Sequence, residues 1–121
     1  MNKVVLISLD AVSETEFDRL AALPNFRRFI EKGVYSKGSI SVYPTQTYTV
    51  HTSVITGNYP DKHGIYSNQF FQPFVKAREK EWFWYRNQVK CGTLYDAVKQ
   101  SGGEVSSVLW PVTGKYKMKN Y

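Results

Sequence analysis

Apolar residues occur along this chain in two kinds of pattern. Residues 4–9, Val-Val-Leu-Ile-Ser-Leu, are a nearly unbroken aliphatic and β-branched run, as expected of a central parallel strand covered on both faces. Residues 34–43 alternate instead. Val34, Ser36, Gly38, Ile40 and Val42 fall on one side and Tyr35, Lys37, Ser39, Ser41 and Tyr43 on the other, which predicts a second strand. A third strand is predicted over residues 105–110, stopped by Pro111 because proline cannot donate to a ladder.

Helical signals lie between these runs. Ser13 with Glu16 makes a capping box for a helix over residues 14–23,. Pro24 and Asn25 restart the chain, and Phe26, Phe29 and Ile30 follow a helical repeat that Gly33 ends,. After the second strand, Pro44 breaks the ladder and Thr45, Thr47 and Thr49 stand where a helix should begin,. Gly57 is a suitable residue to end it. Residues 58–64 are dense in turn formers and predict a compact loop,. Thr93 with Asp96 makes another capping box, Leu94, Ala97 and Val98 give one apolar face, and Ser-Gly-Gly at 101–103 closes that helix,. The order β-α-β-α-loop-α-β predicts an α/β fold, a mostly parallel sheet flanked by helices on both faces.

Two places carry candidate chemistry. Asp10 ends the first strand, and open α/β sheets place their ligands at the carboxyl ends of their strands. The hydroxyl cluster at 45–49 lies at a predicted helix N-terminus, where unpaired N–H groups and the macrodipole stabilise a phosphate or a forming alkoxide. Hydroxyls before helices are caps far more often than nucleophiles. On local pattern alone both readings stay open. His51 falls inside the predicted helix and reads as packed; His63 reads as a structural, hydrogen-bonding histidine.

Composition narrows the class. Apolar residues make up 42% and aromatics 16%, which excludes a disordered chain. At 121 residues this is one small domain or a piece of a larger one. A single cysteine, Cys91, cannot form an internal disulfide and is expected buried and inert,. A net charge of +6 suits an anionic ligand, a phosphate ester or a nucleic acid,. Residues 66–92 interleave aromatics with Lys and Arg. Base-stacking surfaces have that composition; so do insertion loops that pack aromatics on a domain and leave charges in water, the favoured reading. No apolar run reaches membrane-spanning length. The apolar run at the start ends at Asp10 with no small-residue cleavage site, so a cytoplasmic protein is the expectation. The polar residues from Gly114 onward suggest a chain that is cut rather than finished.

Several segments taken together resemble the type I phosphodiesterases and nucleotide pyrophosphatases of the alkaline phosphatase superfamily. They are Val-Leu-Ile-Ser-Leu-Asp ending at Asp10, Tyr-Pro-Thr-Gln-Thr-Tyr at 43–48, Ser-Val-Ile-Thr-Gly at 53–57, Tyr-Pro-Asp-Lys-His-Gly-Ile at 59–65 with Asn68 shortly after, Thr-Leu-Tyr-Asp-Ala at 93–97 and Leu-Trp-Pro at 109–111. The resemblance implies an incomplete alkaline-phosphatase-like fold, with residues 1–121 as the N-terminal part of one catalytic domain. It implies Thr47 as nucleophile, passing through a phospho-threonine, and Asp10 and Thr47 as ligands of one of two zinc ions. Tyr48 would line the substrate pocket or stack a base, and Asn68 would hold a non-bridging phosphate oxygen. Remaining Asp and His ligands would lie beyond residue 121, so this chain alone is expected to be inactive.

Two local departures from the family pattern bear on nucleotide preference. Ala11 stands where a glycine is usual, and Thr49-Val50 replaces a common Pro-Asn. The implied partner is a small phosphodiester or nucleotide substrate, with no membrane and no nucleic acid expected. An exposed sheet edge would invite homo-oligomer contacts. Competing readings are a phosphomonoesterase or mutase of the same superfamily, and a basic module binding single-stranded nucleic acid through Trp82 and Trp84.

Overall fold

A computed structural model of the chain describes residues 3–117. These divide into two compact units, one up to Ile40 and one from Ser41.

The first unit is a pair of helices. α1 (Glu14–Ala22) starts with the predicted capping box, in which Ser13 Oγ accepts the Thr15 N–H at 3.3 Å and Glu16 Oε2 accepts the Ser13 N–H at 2.9 Å. The Ser13 hydroxyl, followed by that of Thr15, holds the Glu16 carboxyl down at about 2. Leu23 ends α1 and is also the N-cap of α2 (Pro24–Lys32), whose first helical residue is Pro24, the position where a missing N–H costs nothing. The two helices pack on each other; Phe17, Leu20, Phe26 and Ile30 are half-buried, and neither helix holds a fully buried residue.

In the second unit the core forms around α3 (Thr47–Thr56). Its sequence is rich in β-branched and polar residues, poor helix formers, and its side chains compensate by bonding back to the preceding turn. Thr52 Oγ1 donates to the Tyr48 carbonyl, Thr56 Oγ1 to the Thr52 carbonyl, and His51 Nδ1 to the Thr47 carbonyl, each at 2.7 Å. This pattern satisfies polar groups that would otherwise be buried unpaired. Gly57 ends the helix with φ 64°, a conformation glycine adopts without the usual steric cost.

The predicted loop at 58–64 contains a short helical turn, α4 (Pro60–His63), because Pro60 stands at its first position and Gly64 closes it at φ 80°. A Cβ at Gly64 would also meet the Lys90 side chain at 2.9 Å. α5 (Leu94–Gln100) carries the second predicted capping box: Thr93 N and Oγ1 both donate to Asp96 Oδ2 at 2.8 Å. Ile65, Phe83, Val89 and Val112 form the core, with Tyr48, Phe70 and Cys91 packed against it. Cys91, expected to be buried, is half-buried at the edge of this cluster.

The three segments predicted as strands have no ladder partner among the described residues, where β pairing amounts to isolated bridges at Gln69–Trp82 and Tyr85–Gly114. Their apolar side chains lie in solvent: Val4, Val5, Ile7, Val34, Ile40, Val108 and Leu109 are all largely exposed. A strand covered on both faces owes its stability to its neighbours; without them the pattern alone does not make a ladder. No helix among the described residues is long and apolar enough to cross a membrane. The predicted polar tail lies outside the described residues beyond residue 117.

Candidate active site

Thr47 is the first residue of α3, and the cap before it is Gln46, extended at φ −123° and ψ 149°. None of the three threonines therefore caps this helix. Thr45 Oγ1 turns back to the Val42 carbonyl at 3.2 Å, and Thr49 is fully buried. Gln46 makes no side-chain cap bond either. Its Oε1 reaches across to accept the Ser67 hydroxyl at 3.1 Å and the Asn68 N–H at 3.0 Å.

Asn68 bonds α3 through its own side chain as well. Its Oδ1 accepts the Tyr48 N–H at 2.9 Å, and its carbonyl accepts the Phe83 N–H at 3.0 Å. The Gln46 and Asn68 side chains thus clamp residue 68 to the first turn of α3, one through the Asn68 N–H and the other through the Tyr48 N–H. With Oδ1 committed to Tyr48, the group Asn68 offers a ligand is its Nδ2 amide, a donor. An anion beside Thr47 would meet that donor together with the positive end of a helix whose cap side chain is engaged elsewhere.

Tyr48 points its ring at two tryptophans. Its centroid lies 5.4 Å from that of Trp82 and 6.1 Å from that of Trp84, and the two indoles stack at 5.8 Å. Phe83, between them, is buried in the core. Successive side chains of an extended segment point to opposite faces, so burying Phe83 turns both tryptophans outward. Burial raises the Tyr48 hydroxyl pKa.

Of the residues singled out from sequence, Thr47, Tyr48 and Asn68 come together here. Asp10 belongs to the first unit, where its Oδ1 accepts the Ala11 N–H at 3.1 Å. Ala11 adopts a left-handed φ of 59°, a conformation that suits glycine better than alanine. The sequence reading missed Gln46 and the pairing of Trp82 and Trp84 with Tyr48. The alternation Trp-Phe-Trp at 82–84 was the available signal.

The histidines are structural in the way predicted. His51 packs edge-on against Trp110 at 5.1 Å between ring centroids. His63 is fully buried, its Nδ1 accepting the Ile65 N–H at 3.1 Å and its Nε2 lying 2.9 Å from Ser53 Oγ. Among the described residues no group of three or more His, Cys, Asp or Glu side chains could hold a metal ion. A structural zinc centre takes four donors, which the described residues do not assemble.

Residues 4–121 match the type I phosphodiesterase / nucleotide pyrophosphatase family. The chain belongs to this family. It is 32% identical over 96 residues to human ectonucleotide pyrophosphatase/phosphodiesterase family member 1, and 38% identical over 96 residues to that of Rattus norvegicus; in each case 74% of this chain and 10% of the relative are covered. It is 26% identical over 116 residues to a human bis(5′-adenosyl)-triphosphatase, covering 92% of this chain and 25% of that protein. The chain thus spans between a tenth and a quarter of the length of these relatives. Both Thr47 and Asn68, with the clamp that joins their segments, lie inside the stretch matched to the phosphodiesterase family.

Proposed function

We propose that the whole protein containing this chain hydrolyses phosphodiester or nucleotide pyrophosphate bonds, with Thr47 as nucleophile. The observation that carries this reading is the Gln46–Asn68 clamp at the first turn of α3, beside Thr47. The Thr47 hydroxyl attacks phosphorus in line; its O–P bond forms as the O–P bond to the leaving group breaks. Water then cleaves the phospho-threonine. Asn68 Nδ2 and the N-terminal end of α3 stabilise charge on the equatorial oxygens.

A divalent cation, zinc on the family pattern, supplies one thing when bound: it lowers the pKa of a coordinated oxygen, by about 9 units for water on zinc. Asp10 and Thr47 are the ligands this chain would offer, the others coming from the rest of the protein. The 121-residue chain is accordingly inactive alone. The same reading makes residues 4–9, 34–43 and 105–110 strands of a mostly parallel, alkaline-phosphatase-like sheet in the whole domain. Their exposed apolar side chains support it.

The test uses the full-length protein. Thr47→Ala lowers diesterase turnover about a thousandfold or more and removes the phospho-threonine found by mass spectrometry after acid quench. Near-normal turnover in that variant would rule out the nucleophile. Asp10→Ala costs metal content as well as rate, and unchanged metal would take Asp10 out of the ligand set. Relative rates on mono- and diesters separate the diesterase from a phosphomonoesterase or mutase.

A further inference from the structure

Thr47 and Tyr48 share one peptide plane, and side chains hold both of its polar ends. His51 Nδ1 lies 2.7 Å from the Thr47 carbonyl, and Asn68 Oδ1 accepts the Tyr48 N–H at 2.9 Å. A carbonyl only accepts, so Nδ1 is the donor. The peptide unit is rigid, and tying both ends fixes ψ of Thr47 and φ of Tyr48. Threonine, branched at Cβ, has few rotamers in a helix. The direction of the Thr47 hydroxyl therefore follows from that of the peptide behind it.

The fold holds His51 in place at a cost. The residue is 8% exposed and its ring packs edge-on against Trp110, with 5.1 Å between centroids. Leu109 and Val112, on either side of Trp110 and Pro111, take left-handed φ of 56° and 58°, a region where a β-branched residue is a genuine outlier. Such strain persists where the surroundings over-determine it, and it clusters at functional sites. Here Val112 is buried in the core and the Trp110 carbonyl accepts the Thr113 hydroxyl at 2.7 Å. The Trp110 indole N–H is itself buried with no hydrogen-bond partner among the described residues, a further unfavourable contribution. Filling space beside Trp110 would need only an apolar side chain. A donor backed by a strained segment points instead to the Thr47 carbonyl as the group being held.

We propose that His51, backed by Trp110, is a positioning residue for the attack by Thr47: together with Asn68 it locks the peptide between residues 47 and 48, which keeps the Thr47 hydroxyl in line with the leaving group. This rests on the Thr47 reading above. His51 acts through the backbone, so it raises the rate of attack on bound substrate and leaves substrate affinity alone.

The experiment uses the full-length protein in excess over bis(p-nitrophenyl) phosphate, so that a single turnover reports the attack by Thr47 as release of p-nitrophenolate. His51→Leu fills the space without a donor. It lowers the maximal rate about a hundredfold, the scale of a small misplacement of a reacting group, and leaves the half-saturating enzyme concentration within about twofold. His51→Asn sets an amide Nδ2 where Nδ1 stood and restores most of the rate. Trp110→Leu removes the ring behind the imidazole and lowers the rate in the same way, Trp110→Phe restores it, and this pair makes the comparison if His51→Leu does not fold. A merely structural role would raise the half-saturating concentration, because fewer molecules are folded, and leave the maximal rate unchanged. That result overturns the inference, as does a wild-type rate in His51→Leu or an equal loss in the leucine and asparagine variants, and each leaves Thr47 in place. No wild-type turnover, or near-normal turnover of Thr47→Ala, overturns the Thr47 reading and this inference together.

Discussion

Asn68 Oδ1 accepts the backbone N–H of Tyr48 at 2.9 Å, across twenty residues of sequence. The bond fixes which end of the amide is left for a ligand, and so separates two substitutions that look alike. Asn68→Asp keeps an oxygen for the Tyr48 N–H but replaces the donor with a second acceptor. It leaves stability of the chain nearly unchanged and, in the full-length protein, lowers diesterase kcat/KM about a hundredfold or more. Asn68→Ala loses the bond to the Tyr48 N–H as well and costs about 1 kcal/mol in urea denaturation. An aspartate variant with normal turnover would show that the amide is not a phosphate donor.

Much of the local structure was legible because the signals are local. Ser13 with Glu16 and Thr93 with Asp96 are three residues apart, and each made the capping box its spacing implied. Gly57 as the stop of α3 is equally a one-residue argument. What failed to read were partners distant in sequence. Gln46, not a threonine, caps α3, and its side chain is claimed by residues 67 and 68. Nothing near Gln46 announces that. Trp82 and Trp84 belong to a segment whose composition gives no direction to its side chains, and the burial of Phe83 between them sets it. The strand patterns at 4–9 and 34–43 specify faces but not neighbours, and a ladder needs both.

His63 makes stability depend on pH below neutrality. Nδ1 accepts the Ile65 N–H, so the proton sits on Nε2 and donates to Ser53 Oγ. Burial lowers the imidazole's pKa below its ordinary 6.5. The unfolded chain takes up a proton near pH 6.5 while the folded imidazole still refuses one. Stability is therefore full above pH 6.5 and falls as pH drops beneath it. His63→Asn keeps an acceptor for Ile65 but not the reach to Ser53, costs about 1–3 kcal/mol, and removes this acid limb. Urea midpoints measured from pH 8 to 5 check it, and a limb unchanged in the variant would assign it to another group.

Asp96 gathers four donors, and its partners predict opposite limbs. Arg86 Nη2 lies at 2.5 Å, Thr93 N and Oγ1 at 2.8 Å, and the Tyr116 hydroxyl at 2.6 Å. Burial pushes the carboxyl up, but the bonds from Tyr116, Arg86 and Thr93 more than offset it and hold the group well below the usual carboxylate range of 3.8. Its contribution is full above about pH 4 and lost as pH falls. Tyr116 is raised, first by burial and then by the Asp96 bond, to about 12. Its contribution is full below pH 10 and lost as pH climbs from 10 through 12. Tyr116→Phe removes the alkaline limb at a cost of about 1.5–3 kcal/mol, the range for a bond to a charged group. Asp96→Ala costs about 1.5–3 kcal/mol because it removes the carboxylate from Arg86, whose guanidinium keeps its bonds to the Val89 and Cys91 carbonyls,. Tyrosinate absorbance titration with denaturation across both ranges tests the pair.

Hydrogen exchange tests whether residues 4–9, 34–43 and 105–110 are strands of a larger sheet. In the 121-residue chain these amides have no ladder partner among the described residues and exchange at close to random-coil rates. Amides in the middle of α3, around the buried Thr52 and Ile55, are protected in the same sample and serve as its internal reference. In the full-length protein the three segments gain protection together, since a parallel ladder forms on both sides of a central strand. Protection confined to one segment would fit an edge strand or a local hairpin. Random-coil exchange of all three in the full-length protein would remove the sheet, and with it the argument that Asp10 is delivered to a ligand site by the strand before it.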